Sequence, residues 1–82
     1  MRHYTVIGKM LEIEKSSPSY FSLQHGGKTD VCRIYFDNEE DYEATRDVCF
    51  PGRLVSVRAE LKDSQLIFIS LEVLGVRVWA VR

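Results

Sequence analysis

No apolar run in this sequence approaches the ~20 consecutive residues that a membrane-spanning helix needs. Its uninterrupted apolar stretches are short, such as Leu66-Ile67-Phe68-Ile69. The opening residues Met1-Arg2-His3-Tyr4-Thr5 carry no signal-peptide core and lead straight into a strand-like pattern, so a cytoplasmic protein is expected. Cysteine is scarce: Cys32 and Cys49 are the two present, there is no C-x-x-C, and His3 and His25 lack the paired spacing of a zinc finger. Both thiols are therefore expected to be buried, reduced and metal-free, and no cofactor is expected. A net charge of −1 excludes a strongly basic polyanion binder. No motif ties a nucleophile to a base, which argues against an enzyme. Gly27-Lys28-Thr29 resembles the end of a phosphate loop, but the required glycine five positions earlier is Ser22, and strands rather than a strand and a helix flank it.

With 82 residues the chain has room for one domain with one core. It is organised around the run Val55 to Leu61 and its return Gln65 to Val73, separated by Lys62-Asp63-Ser64, a β-hairpin pattern. Val55, Val57, Ala59 and Leu61 alternate with Ser56, Arg58 and Glu60, one face buried and one wet. Upstream, residues 4 to 14 read as a long strand whose alternation Val6, Gly8, Met10 slips phase to Leu11, Ile13. Such a slip beside a glycine predicts a β-bulge and a bent strand able to pair in two sheets. Lys15 to Ser19 form a loop. Tyr20 to His25 and Asp30 to Phe36 flank a glycine turn, and their wet face should display Tyr20, Gln24, Arg33 and Tyr35.

The period changes at residues 38 to 49. Asn38 as N-cap, Asp41 three residues on, and Glu39 and Glu40 in the first turn predict a short helix, with Tyr42, Thr45, Val48 and Cys49 on its inner face and Pro51-Gly52 as its stop. Six of the twelve acidic residues fall between Asp37 and Asp47, leaving ten basic residues against six acidic ones elsewhere. A tail, residues 75 to 82, alternates Val76, Val78 and Ala80 with Arg77, Trp79 and Val81. It is expected to extend the last strand and to pair with another subunit or a partner, with Arg77 and Trp79 at the contact.

Three strands, a short helix and two strands is the order of a small five-stranded Greek-key barrel, an all-β fold with one helix between strands three and four. Several stretches resemble the OB-fold (oligonucleotide/oligosaccharide-binding) superfamily, in particular its small tRNA-anticodon-binding-like domains: Val6-Ile7-Gly8-Lys9-Met10, Tyr20-Phe21-Ser22-Leu23, Val31 to Phe36, and Pro51-Gly52-Arg53-Leu54-Val55-Ser56-Val57. The resemblance covers roughly residues 4 to 74. It implies a ligand face on strands two and three holding Tyr20, Arg33 and Tyr35, edged by Lys15 and Lys62 on neighbouring loops and extended by Lys9 and Arg58. It further implies weak, largely sequence-independent binding of single-stranded nucleic acid by stacking bases on aromatics beside positive charge. The alternative is a protein-interaction module or small regulator working through the acidic helix or an exposed strand edge.

Overall fold

The computed structural model describes residues 2–25 and 30–74. Its elements are β1 (Arg2–Glu14), β2 (Tyr20–Gln24), β3 (Val31–Tyr35), α1 (Glu39–Val48), β4 (Leu54–Lys62) and β5 (Gln65–Val73). The strands close a barrel in the order β1-β2-β3-β5-β4, with four antiparallel seams and a parallel one, β3 to β5, through Ile34↔Leu66 and Tyr35↔Ile67.

Closure depends on β1 serving two neighbours. Arg2 to Lys9 pair with β4, Lys9 to Glu14 pair with β2, and the β2 register shifts between Met10 and Glu12, where the sequence slips phase. The bulge is therefore at Leu11. Gly8 serves a different need from the expected bulge: a Cβ there would stand 2.5 Å from the Gln24 carbonyl oxygen, so only glycine lets β1 cross so close to the end of β2. β4 and β5 join through Asp63 and Ser64 alone, with φ of 51° and 65°. Positive φ at both central residues gives the twist a two-residue hairpin requires.

Alternate residues point inward to form the core. Met10, Phe21, Leu23, Ile34, Val55, Val57 and Ala59 are essentially fully buried, each large apolar side chain contributing about 1.5–3 kcal/mol. Phe36 couples barrel to helix, with ring centroids 5.3 Å from Phe21, 5.2 Å from Phe68 and 5.9 Å from Tyr42. α1 is capped by Asn38, whose side-chain oxygen accepts from the Asp41 amide at 2.9 Å. Its buried stripe is Tyr42, Thr45 and the C-cap Cys49. Val48, expected on that stripe, is half exposed, because six residues past Tyr42 is about 240° around the axis. Cys32 also departs from expectation: it is only half-buried, lying where β1 has left β2 for β4. No described helix is long and apolar enough to cross a membrane. The tail, with Arg77 and Trp79, lies outside the described residues.

Candidate nucleic-acid interface

The outer face of β1, β2 and β3 is a lattice fixed by register, because residues paired across an antiparallel seam point the same way. One row runs Glu14, Tyr20, Tyr35; the next runs Glu12, Ser22, Arg33; a third runs Lys9, Gln24, Val31. The wet face expected from alternation is thus assembled, with Tyr20 and Tyr35 directly opposite each other and their ring centroids 5.6 Å apart at 51°.

Arg33 lies over Tyr20 of this pair. Its guanidinium carbon is 4.5 Å from the Tyr20 centroid, within the range of a cation–π contact. Hydrogen bonding to Tyr35 first, then the charges of Tyr20, Tyr35 and Glu12, push its ionisation further above the usual arginine range. The result is a flat cation lying against Tyr20 of the tyrosine pair, which sets planar groups of the kind that can stack with other flat groups side by side on one face.

The other predicted basic residues are distributed unevenly. Lys9 is exposed on this face, opposite Gln24 where β1 passes from β4 to β2. Lys62 ends β4 opposite Gln65, one step before the Leu66↔Ile34 pair, which sets the β4–β5 turn beside the Arg33 end of β3. Lys15 is on the β1–β2 loop but turns toward α1, its Nζ 3.0 Å from Glu39 Oε2 and 5.8 Å from the Tyr42 centroid. Arg58 points outward from β4 between Thr5 of β1 and Ser70 of β5, on a different wall of the barrel from Tyr20 and Tyr35. Two residues of the face were missed by sequence reasoning, Glu12 and Glu14. Both follow from the phase slip, which leaves Ile13 inside and its neighbours outside. Ser22, 6% exposed, is covered by its surroundings.

A second surface lies between β1 and β3. Among the described residues, Arg2 to Gly8 pair on the β4 side only. Their free edge borders an apolar groove of about 450 Å³ lined by Tyr4, Val6, His25, Cys32, Leu61 and Leu66. Among the described residues, no group of three or more His, Cys, Asp or Glu is arranged to hold a metal ion.

No protein-family profile and no curated protein sequence matches the chain. Solved structures do. The mitochondrial single-stranded DNA binding protein Rim1 of S. cerevisiae superposes with a TM-score of 0.77 at 19% identity, over 89% of this chain and 93% of that one. A second crystal form of Rim1 gives 0.73 at 18% identity. A chain of the S. pombe Stn1–Ten1 complex gives 0.72 at 19% identity, over 100% of this chain and 68% of that one. The chain is an OB-fold. At these identities the likeness is one of architecture, and it extends over most of this chain.

Proposed function

We propose that this OB barrel is a non-catalytic module that binds single-stranded nucleic acid weakly across β2 and β3. The observation that carries this reading is the Arg33–Tyr20–Tyr35 arrangement, a guanidinium 4.5 Å from one ring of a tyrosine pair, with Lys9 on the same face. Stacking needs flat side chains, and backbone attraction needs cations beside them. Rim1, similar in fold, is described as a single-stranded DNA binding protein. Each stacked base is worth about 1–3 kcal/mol, so two tyrosines give micromolar affinity at best, on the order of −8 kcal/mol. Lys9, Arg33 and Lys62 are the cations available to phosphates, while Lys15 is engaged with Glu39 and Arg58 faces another wall. About three neutralised phosphates at −0.7 each give a salt slope near −2. Fluorescence anisotropy of a labelled dT8 strand at low salt tests this: saturable binding with that slope is the expected result. No binding, or equal preference for a duplex, refutes it.

A second reading rests on the groove beside β1, where an unpaired edge and an apolar trough suit an extended segment of a protein partner. Leu61→Asp would abolish such docking and leave dT8 binding intact.

A further inference from the structure

The carboxylates beside the tyrosine pair bear on which base the face prefers. Glu14 stands opposite Tyr20 in one row, and Glu12 stands opposite Ser22 in the next, with Arg33 beyond it. Directly opposed side chains have Cβ atoms about 4.5–5.5 Å apart. A base stacked on Tyr20, Tyr35 or the Arg33 plane therefore presents its β1-side edge to two carboxylates. Neither makes an ion pair within 4.0 Å among the described residues, and Glu12 acts on Arg33 only through its charge. Between Glu12 and Arg33 sits Ser22, 6% exposed, so the two charged side chains flank a covered position.

An ionised carboxylate only accepts hydrogen bonds. Phosphates are repelled from this side and must run past Lys9, Arg33 and Lys62, which leaves Glu12 and Glu14 to meet base edges. Thymine and uracil offer one N–H between two carbonyls, so a carboxylate meets more repulsion than attraction there. Cytosine and adenine each offer one exocyclic amino group. Guanine offers N1–H and N2–H side by side, a pair of donors matching the two oxygens of one carboxylate, the same fork geometry that makes arginine–carboxylate pairs bidentate.

We infer that the face prefers guanine, read on its Watson–Crick edge by Glu12 or Glu14 while the base is stacked on the tyrosine–arginine platform. This inference rests on the nucleic-acid reading above and amends the expectation that binding is indifferent to sequence. It is a modest preference, because the carboxylates are exposed.

The test compares labelled dT8 with the same strand carrying one central dG, deoxyinosine, dA or dC. Deoxyinosine keeps N1–H and lacks the N2 amino group. The expected result is about fivefold to tenfold tighter binding of the dG strand than of dT8, the low end of what a bidentate base contact gives, with deoxyinosine intermediate. In the Glu12→Gln, Glu14→Gln double variant the dG to dT8 affinity ratio should fall to about one. Equal affinity of the wild-type protein for all five strands overturns the base preference and leaves the binding reading standing. A dG preference that survives in the double variant overturns the assignment to the carboxylates. No binding to any strand overturns both readings.

Discussion

Gly8→Ala should destabilise the barrel even though the position lies in a strand, where alanine normally gains over glycine. The gain comes from the unfolded chain and is about 0.4–1 kcal/mol. Against it, the new methyl would meet the Gln24 carbonyl oxygen at 2.5 Å, its carbon at 3.1 Å and the His25 Cβ at 3.2 Å. Ordinary contact is about 3.5–4.0 Å, so the strands must part by roughly 1 Å. β1 cannot simply retreat, because Gly8 is also paired with Val55 on β4, and the next residue, Lys9, opens the β1–β2 seam at Gln24. Overpacking of this kind costs about 1–3 kcal/mol, which leaves a net loss of about 1–2 kcal/mol. At about 4–8 °C per kcal/mol for a domain of this size, Tm should fall by about 4–16 °C. Gly52→Ala is the control for mechanism. Nothing lies within 4 Å of a Cβ there, but φ is +94°, so its cost is backbone strain of about 1–2 kcal/mol. Asparagine tolerates positive φ better than alanine does. Gly52→Asn should therefore recover part of the loss, whereas Gly8→Asn should be worse than Gly8→Ala. Thermal unfolding followed by far-UV circular dichroism measures all four variants. A Gly8→Ala protein as stable as wild type would refute the close-approach argument.

The strands were legible because alternation survives in each of them, and the bulge was legible because Leu11 breaks that alternation. The physical need for Gly8 was not, since the crossing of β1 over the end of β2 is a long-range contact that no local pattern records. The parallel β3–β5 seam that closes the barrel involves only two residue pairs, too few to leave a pattern in the sequence. At the candidate site, alternation placed Tyr20, Arg33 and Tyr35 on one surface. It could not register β2 against β3, so the direct Tyr20↔Tyr35 opposition and the position of Arg33 over Tyr20 emerge only in three dimensions. Lys15 looked available by sequence because Glu39, its partner, lies on another element. Glu12 and Glu14 went unread for the opposite reason: a search for cations and aromatics passes over carboxylates, although the phase slip already put them on the wet side.

Asn38→Ala should cost about 1 kcal/mol by removing the acceptor for the Asp41 amide, seen as a lower urea midpoint with an unchanged m-value. Lys15→Ala should change stability by less than about 1 kcal/mol, since both partners of its ion pair are more than half exposed, and should leave dT8 affinity unaltered; a clear loss of affinity would place Lys15 among the phosphate contacts. Burial raises both thiols, so labelling at pH 7 should be slow, faster at Cys32 than at Cys49, and should accelerate as pH rises. Because the unfolded thiols ionise first, stability is full below the ordinary thiol pKa of about 8.5 and declines as pH climbs past it, which denaturant midpoints measured between pH 7 and 10 would register. The platform itself is tested by separating charge from shape at Arg33. Alanine removes both, so affinity for dT8 should fall and the salt slope should become shallower by about 0.7. Lysine keeps the charge but not the plane that lies 4.5 Å from Tyr20, so the slope should hold while affinity still falls. Tyr35→Ala should resemble the lysine variant, losing affinity at constant slope, because it removes a stacking surface and no charge. If Arg33→Lys matches wild type in affinity as well as slope, the guanidinium serves only as a point charge and the stacked platform is not what binds.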